Sequence, residues 1–433
     1  MNEHNRITRQ ALKSLVLEQR TRVVSQSQGV RRQLLDKVVQ KVKTGQVVVV
    51  TGIRRCGKST LLRQYALTLG WDKVHYFSFE DERLAEFTAH DFNLLLEILI
   101  ELYGDLRTAL FDEIQNVPGW EMFVRRLHDD GYALVVTGSN ARMLSHELGS
   151  KLTGRHVDVV LYPFSFAEYM ALKHPRDPHL DPLVTAQRGK LLRYFNGYFN
   201  EGGMPGYLLS QDPDLLTGVY EDVLYRDIAQ RFQIDNMKTF RELALYLLSH
   251  IGRPLSFNKL KQYFHLGSVN TVTKYVGYLE NAYVLFVINH YSSSLKQQTI
   301  NPKKIYGICP ALLRAVGFST SDQRGYLLEN VAFLALKQWG LPVYYYLTRQ
   351  RLELDFIVVD FKKRLIPMQV CTSLKDPSVR ERELKALTQA MTELRLKQGW
   401  ILTEAEYDDF VLGPHQIRVR PLFQWLSDGF KET

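Results

Sequence analysis

Residues 52–59 read GIRRCGKS and match the pattern G-x-x-x-x-G-K-[ST] in full. The apolar run VVVV stands directly before this loop, and the helix-like stretch TLLRQYALTL follows it. Backbone N–H groups of such a loop and the positive end of the following helix create a site for phosphate. The sequence therefore predicts a sheet whose first strand runs into a nucleotide-binding loop, which we call the phosphate loop.

Each residue type in the phosphate loop has a physical reason. Gly52 and Gly57 allow a tight turn and a close approach of the backbone to phosphate. Lys58 is expected to bridge the β- and γ-phosphates of ATP, and the Ser59 hydroxyl to bind Mg²⁺. Cys56 is either a small residue that fits the turn or a reactive thiol. The candidate nucleotide contacts are Gly52, Ile53, Arg54, Arg55, Cys56, Gly57, Lys58, Ser59 and Thr60.

The stretch TALFDE, residues 108–113, predicts a buried strand that ends in two acids. We expect Asp112 to hold Mg²⁺, and Glu113 to orient and activate the water that attacks the γ-phosphate. Two such acids indicate hydrolysis of the nucleotide rather than its storage. The alternative is an exposed acidic pair at a strand end, without a catalytic role.

The stretch ALVVTGSN predicts a further strand that ends at Ser139 and Asn140. If this strand pairs with the strand of Asp112, either polar side chain can hydrogen-bond the attacking water. Arg155, in LTGRH, precedes the last strand of the domain and is a candidate arginine finger for the γ-phosphate of a neighbouring subunit. A structural salt bridge of Arg155 is the alternative.

Strand-like and helix-like stretches alternate through residues 30–165. Residues 30–43 carry apolar side chains on one helical face, and short apolar runs follow at 46–51, 74–78, 108–111, 133–137 and 157–161. Amphipathic stretches separate these runs. The alternation predicts an α/β fold with a mostly parallel, three-layer sheet. Residues 166–235 are predicted to be helical, with an interruption at NEGGMPG.

The motifs GIRRCGKST, FDEIQ, TGSNARML, LTGRH, LYPFSFAEY and GGMP, in this order, resemble those of a family of bacterial and archaeal AAA+-superfamily P-loop ATPases. Members carry a C-terminal domain of unknown function related to PD-(D/E)XK nucleases. The resemblance covers nearly the whole chain. It implies ATP and Mg²⁺ as cofactors, ATP hydrolysis and assembly into a ring, with a hexamer favoured. Carried over by motif, it implies nucleotide ligands at Lys58 and Ser59, Mg²⁺ and water acids at Asp112 and Glu113, a sensor at Asn140 or Ser139, and a finger at Arg155.

The resemblance and the composition together suggest five segments. They are a basic N-terminal helical segment (1–29), the AAA+ P-loop ATPase domain (30–165), a helical lid (166–236), a winged-helix-like domain (237–300) and a nuclease-like α/β domain (301–433). Residues 1–45 carry ten Lys or Arg against three Asp or Glu. This stretch is either an arm that touches nucleic acid or a solvated helical face.

Residues 240–264 predict two helices separated by GRP, and Ser256 is expected to cap the second. Ser268 is expected to cap a third helix, VNTVTKYVGYLENA, and the strand-like stretch YVLFVINHYSSSLKQQ follows as a wing. Such modules place their last helix in the major groove of DNA, although they also serve as protein contacts or rigid lids. The candidate DNA contacts are Asn270, Thr271, Thr273 and Lys274 on the helix, with Lys259, Lys261, Lys296, Lys303 and Lys304 expected to meet phosphates.

The C-terminal segment places Glu329 on a predicted helix, and Asp355 and Gln369 on successive strands. Nucleases of the PD-(D/E)XK class carry a carboxylate and a lysine on the last of these strands, where the acids hold Mg²⁺ and the lysine assists water. This chain has Gln369 in place of the carboxylate and Cys371 in place of the lysine. An amide is a poorer Mg²⁺ ligand than a carboxylate. We therefore expect a retained fold with lost cleavage; migration of Lys375 into the role is the alternative.

Three hypotheses about function follow. The first is an ATP-hydrolysing, ring-forming motor that binds and remodels DNA, such as branched, repair or replication intermediates; the net charge of +9 favours a polyanionic partner. The second is an ATP-dependent switch or remodeller of a protein partner. The third, an ATP-dependent nuclease, is disfavoured by the missing lysine. No apolar run reaches the length that crosses a bilayer, and the N-terminus lacks the apolar centre of a secretory signal, so we expect a cytoplasmic protein.

Overall fold

The computed structural model describes residues 7–139, 154–177, 180–317 and 323–430. The chain divides into two compact units, residues 1–162 and 163–433. Each unit has its own buried hydrophobic core.

Helices and strands alternate in the first unit, as the sequence predicts. In chain order its elements are α1 (Arg9–Ser25), α2 (Leu35–Val42), β1 (Val47–Thr51), α3 (Lys58–Leu69), β2 (His75–Ser78), α4 (Phe92–Tyr103), β3 (Thr108–Asp112), α5 (Trp120–Asp129), β4 (Ala133–Gly138) and β5 (His156–Val160). The five predicted strands are confirmed.

The five strands form one parallel sheet in the order β2-β3-β4-β1-β5. Every residue of β1 is buried, because strands flank it on both edges and helices cover the sheet. Parallel strands joined by helical crossovers place their carboxyl ends along one edge of the sheet. Since β4 lies between β1 and β3, the loop after β1 and the acids after β3 lie on either side of the end of β4.

The N-terminal helix α1 packs into the core of this unit. Leu12, Leu15 and Val16 are buried. The Gln19 side chain accepts a hydrogen bond from the Ser78 N–H at 2.8 Å and donates one to the Ser78 carbonyl at 2.9 Å. This pairing satisfies backbone groups of β2, the edge strand of the sheet.

The second unit begins with helices, as predicted for residues 166–235, and continues with two sheets. Its helices are α6 (Phe166–Lys173), α7 (Thr185–Glu201), α8 (Pro205–Ser210), α9 (Asp214–Asp222), α10 (Gln230–Phe232), α11 (Met237–Ser249), α12 (Phe257–Tyr263), α13 (Val269–Asn281), α14 (Leu295–Ile300), α15 (Pro310–Val316), α16 (Arg324–Gln338), α17 (Pro377–Glu393) and α18 (Leu422–Asp428). Its strands are β6 (Pro254–Leu255), β7 (Leu285–Ile288), β8 (Lys303–Gly307), β9 (Val343–Leu347), β10 (Glu353–Val359), β11 (Leu365–Val370), β12 (Gln398–Thr403), β13 (Asp408–Leu412) and β14 (His415–Pro421).

The smaller sheet is antiparallel, with the order β6-β8-β7. Strand β8 lies beyond the boundary that we expected at residue 300. The predicted cap of α13 is confirmed, because the Ser268 hydroxyl accepts a hydrogen bond from the Thr271 N–H at 3.1 Å. Ser256 occupies the predicted N-cap position of α12, but its side chain makes no capping hydrogen bond. The stretch LKQQ, predicted to be strand-like, is helical because it lies in α14, which Ser294 caps.

The larger sheet has the order β13-β14-β12-β11-β10-β9. Strands β9, β10 and β11 are antiparallel neighbours, whereas β11, β12 and β14 run parallel. Parallel neighbours need a long crossover, and α17 provides it between β11 and β12. Its buried Leu387 and Met391 belong to the same core as Ile357 and Ile401 of the sheet.

Across the described residues, no helix combines the length and the apolar character that a bilayer crossing requires.

Candidate functional site

The carboxyl edge of the parallel sheet gathers the predicted site residues of the first unit. The phosphate loop follows β1, Asp112 ends β3, and Ser139 follows β4. The pairing of β3 with β4, on which the sensor prediction depended, is confirmed. Three strands therefore bring the loop, the acids and a polar side chain to one place.

Glycine is required at the start of the phosphate loop because no side chain fits there. A Cβ on Gly52 would lie 2.2 Å from the Leu161 carbonyl oxygen and 2.9 Å from the Cys56 Sγ. Gly57 has φ +101° and directly precedes the first residue of α3. The Arg32 guanidinium donates to the Cys56 carbonyl at 2.7 Å and to the Tyr162 carbonyl at 2.6 Å, which ties the loop to the end of the sheet.

Lys58 and Glu113 are in direct contact. The Lys58 Nζ lies 3.1 Å from Glu113 Oε1, and both side chains are largely buried. The other carboxylate oxygen of Glu113 accepts a hydrogen bond from Gln115 Nε2 at 2.5 Å. The Glu113 backbone has φ +49° and its N–H donates to Thr137 Oγ1 at 2.9 Å. Glu113, the candidate base, is thus held by the Lys58 ammonium, the Gln115 amide and the Thr137 hydroxyl.

The pKa values of this pair follow from its geometry. Burial is the largest single influence on Lys58 and alone would lower its pKa, but the surrounding negative charges, with Glu113 foremost and Asp112 adding to it, together outweigh burial and hold the pKa above its ordinary value. Burial is also the largest single influence on Glu113 and alone would raise its pKa, but the Lys58 ammonium, the Gln115 hydrogen bond and the charge of Arg54 together outweigh burial and lower the pKa. Both groups are therefore charged at neutral pH.

Asp112 forms the second half of the site. Its carboxylate accepts a hydrogen bond from Thr137 Oγ1 at 2.5 Å and another from the Ser59 hydroxyl. Burial, with the negative charge of Glu113 adding to it, raises the pKa of Asp112 to about 6. A hydroxyl and a carboxylate in contact are oxygen ligands of the kind that Mg²⁺ prefers. Ser59 and Asp112 therefore fit the predicted metal.

Ser139 is buried at 2% exposure, and its Oγ has no hydrogen-bond partner among the described residues. A buried hydroxyl without a partner carries a desolvation cost, so its position beside the acids suits a group that meets a bound ligand. The alternative sensor, Asn140, lies outside the described residues.

The other candidate nucleotide contacts differ in their burial. Ile53 and Cys56 are buried, and burial raises the pKa of the Cys56 thiol, which favours the interpretation of Cys56 as a small residue that fits the turn. The Arg54 Nη1 lies 3.1 Å from Glu80 Oε1. Arg55 is exposed and has φ +63°. Thr60 is half-buried and accepts a hydrogen bond from Arg63.

Arg155 lies at the surface of the first unit with about half of its side chain exposed, and its guanidinium pairs with Asp129. This contact is the salt bridge that the sequence left open as the alternative to a finger. An exposed ion pair contributes little to stability, so the pairing leaves the guanidinium available for another anion.

The candidate DNA contacts are mostly at the surface of the second unit. Lys259, Asn270, Thr273, Lys274 and Lys296 are exposed, and Lys261 and Thr271 are half-buried. One of the lysines expected to meet phosphates is placed otherwise. Lys304 is completely buried in an ion cluster, so that expectation is wrong, because strand pairing draws β8 into the core. Lys303 is half-buried and donates to the Gln298 carbonyl.

Glu329 and Asp355, the two acids of the predicted vestigial nuclease site, lie close together in the second unit. Both contact the Lys304 ammonium. Gln369 approaches them but uses its amide otherwise: its Oε1 accepts from the Asp355 N–H at 3.1 Å and its Nε2 donates to Glu383 at 2.6 Å. Within the described part of the chain, no group of three or more His, Cys, Asp or Glu side chains is arranged to hold a metal ion.

Sequence reasoning missed Arg32, Gln115 and Thr137. Gln115 stands within the motif FDEIQ, and Thr137 directly precedes the sensor stretch, so proximity to motifs was the available signal. No sequence signal pointed to Arg32, because its contact with the Cys56 carbonyl joins residues that are 24 positions apart.

Known proteins resemble this chain in both sequence and structure. Residues 44–170 match a family described as an AAA domain, and residues 192–322 match a domain of unknown function, DUF8612. The uncharacterized protein MJ1544 of Methanocaldococcus jannaschii is 32% identical over 367 residues, which covers 82% of this chain and 81% of that protein. An uncharacterized protein of Haemophilus influenzae is 28% identical over 328 residues, covering 72% and 80%.

Two solved structures are also similar. The Walker-type ATPase PABY2304 of Pyrococcus abyssi has a TM-score of 0.43 and 15% identity, covering 66% of this chain and 95% of that chain. DnaA of Aquifex aeolicus bound to AMPPCP has a TM-score of 0.25 and 15% identity, covering 57% and 86%.

Proposed function

This chain belongs to a family of P-loop ATPases with an AAA domain, and we propose that it hydrolyses ATP to ADP and phosphate at the phosphate loop. The observation that carries the proposal is the contact of Lys58 with Glu113, beside Asp112 and at the carboxyl edge of the sheet. A cation for phosphate, a base for water and an acid for metal are the groups that this reaction needs.

The chain's own residues divide the work. Lys58 exchanges its contact with Glu113 for the phosphates, which frees the Glu113 carboxylate to accept a proton from the attacking water. Gln115 and Thr137 hold Glu113 in place during this exchange. Ser59 and Asp112 would hold Mg²⁺, which neutralises charge on the phosphates.

Two variants test this function because they separate binding from turnover. Lys58→Ala is expected to remove ATP binding, measured with a fluorescent nucleotide. Glu113→Gln should retain binding and lower the rate of phosphate release by at least about 100-fold. Exposed Lys73 supplies the control, Lys73→Ala, which should match the wild type. Normal turnover in Glu113→Gln would show that Glu113 does not activate water.

We further propose DNA as the partner. The order α11, β6, α12, α13, β7 and β8, with the last strands antiparallel, supports the winged-helix-like interpretation. Asn270, Thr273 and Lys274 are exposed on α13 at a spacing that places them on one helical face. The net charge of +9 adds a long-range attraction to phosphate.

DNA-stimulated ATPase activity is the direct test, with linear, single-stranded and four-way DNA compared. Lys259→Ala combined with Lys274→Ala should reduce the slope of log K against log salt by about 2 if each lysine meets one phosphate. Lys362→Ala combined with Lys363→Ala alters two other exposed lysines and should leave the slope unchanged. Equal slopes for both variants would favour the second candidate, a remodeller of a protein partner.

Ring assembly in the presence of ATP, with a hexamer favoured, completes the proposal. It rests on the resemblance of the motifs and on the exposed position of Arg155. The mass of the assembly with and without ATP tests it.

A further inference from the structure

A single ammonium group lies among three carboxylates in the second unit. The Lys304 Nζ is 2.7 Å from Glu329 Oε1, 2.8 Å from Glu353 Oε1 and 3.5 Å from Asp355 Oδ1. Lys304 has 0% exposure, and the Glu329 and Asp355 side chains are nearly as buried. We call these four residues the lysine cluster.

Three separate elements supply the lysine cluster. Lys304 comes from β8 of the smaller sheet, Glu329 from α16, and Glu353 and Asp355 from β10 of the larger sheet. The Tyr306 hydroxyl also donates to Glu329. A buried ammonium is tolerated only when carboxylates pair with it, so these contacts fix the smaller sheet against α16 and β10.

The carboxylates already have their remaining hydrogen bonds arranged around the ammonium. The second oxygen of Asp355 accepts from the Val370 N–H at 2.9 Å. The side-chain oxygen of Gln369 accepts a hydrogen bond from the Asp355 N–H, and so it does not point at the cation position. Gln369, which stands at the third ligand position of the nuclease pattern, therefore makes other hydrogen bonds.

These contacts do not fit a bound divalent cation. Mg²⁺ needs near-octahedral oxygen ligands at roughly 2.0–2.1 Å, and an ammonium group in contact with Glu329, Glu353 and Asp355 occupies that space and repels a second cation. We propose that Lys304 is the permanent cation of this site, so that the C-terminal domain takes no divalent metal and does not cleave nucleic acid. Shortening this one side chain opens a divalent-cation site between Glu329 and Asp355.

The test compares Lys304→Ala with the wild type in nucleotide-free protein, using Mn²⁺ alone as the probe. Removing a buried cation leaves its carboxylates uncompensated, so Lys304→Ala should melt at a lower temperature without metal. Mn²⁺ at about a hundred-fold excess over its Kd should raise that melting temperature by roughly 5 °C or more. The wild type and the neighbouring control Lys303→Ala should show no such rise, and adding Asp355→Asn to Lys304→Ala should abolish it.

Equal responses of Lys304→Ala and the wild type to Mn²⁺ would overturn the proposal. If Lys304→Ala does not fold, the wild type alone still tests it. Electron paramagnetic resonance of Mn²⁺ should detect no bound metal that depends on Asp355. Bound Mn²⁺ that disappears in Asp355→Asn would show that Lys304 does not exclude the metal. The test does not involve ATP, so its outcome is independent of the proposed ATPase function.

Discussion

The proposed reaction gives the Glu113 carboxylate two roles, one before ATP binds and one during hydrolysis. Without phosphate, its carboxylate compensates the buried charge of Lys58. In the proposed reaction, once phosphate is present the same carboxylate has to face water in a fixed orientation. Gln115 contacts Glu113 on the oxygen that Lys58 does not use, so it can hold the orientation through the exchange.

Replacing Gln115 by leucine should therefore impair turnover more than binding. The change removes the donor to Glu113 Oε2, and kcat should fall by about 10- to 100-fold because a misplaced base loses its alignment with water. KM for ATP should change little, since Lys58 is intact. Asn116→Ala, which removes an adjacent amide that donates to the Phe79 carbonyl, should retain wild-type kcat. Identical kcat values for the two variants would assign Gln115 a packing role only.

We expect His75 to make the stability of the first unit depend on pH. It is completely buried, and neither ring nitrogen has a hydrogen-bond partner among the described residues. Burial, with the charge of Arg20 adding to it, lowers its pKa to about 4. The unfolded chain, whose histidine has a pKa near 6.5, therefore binds more protons between these values, and the free energy of unfolding falls as pH falls through that window.

Urea unfolding between pH 7 and pH 4 measures this contribution. The loss assigned to His75 should approach about 3 kcal/mol at the acid end, as the pKa difference dictates. His75→Leu should remove that part of the pH dependence and leave stability at pH 7 equal or higher, because two unpaired nitrogens are gone. The exposed residue His90 gives the control, His90→Asn. A wild-type pH profile in His75→Leu would contradict the assignment.

At the scale of elements, β1, the phosphate loop and α3 form one strand–loop–helix segment. The loop passes so close to the end of β5 that a methyl group at Gly52 would overlap the Leu161 carbonyl. The close approach of the loop to this carbonyl therefore requires a residue without a side chain at position 52.

Gly52→Ala should cost about 2 kcal/mol or more and abolish ATP binding, because the loop must move away from Leu161. Gly131→Ala is the matched control: it has φ +84° but nothing within 4 Å of the new methyl group. It should show only the backbone cost of about 1 kcal/mol and normal ATP affinity. Thermal melts and nucleotide titration distinguish the two, and unimpaired ATP binding by Gly52→Ala would refute the close-contact argument.

The elements also show what sequence can predict. The strands of the parallel sheet were predictable because continuous apolar runs alternate with amphipathic helices, and the phosphate loop because its residue types are tightly constrained. The burial of Lys304 was not predictable, because a lysine is ordinarily exposed and its burial here depends on three carboxylates that α16 and β10 supply. The same holds for Gln369, whose amide has partners set by tertiary contacts.

At the scale of the whole molecule, assembly decides whether Arg155 is catalytic. Arg155→Ala and Asp129→Ala remove the same exposed salt bridge from opposite sides. If Arg155 reaches a neighbouring subunit's γ-phosphate, Arg155→Ala should lower kcat by about 10³-fold, with ATP binding retained, while Asp129→Ala stays near the wild type. Equal activities of the two variants would leave Arg155 a structural role alone.

The proposed hydrolysis of ATP is measured as release of labelled phosphate from γ-labelled ATP by purified protein supplied with Mg²⁺. We expect steady release by the wild type that is lost on chelating the metal and is at least about 100-fold slower in Glu113→Gln. Wild-type protein that releases phosphate no faster than Glu113→Gln would contradict the assignment of this site as an ATPase.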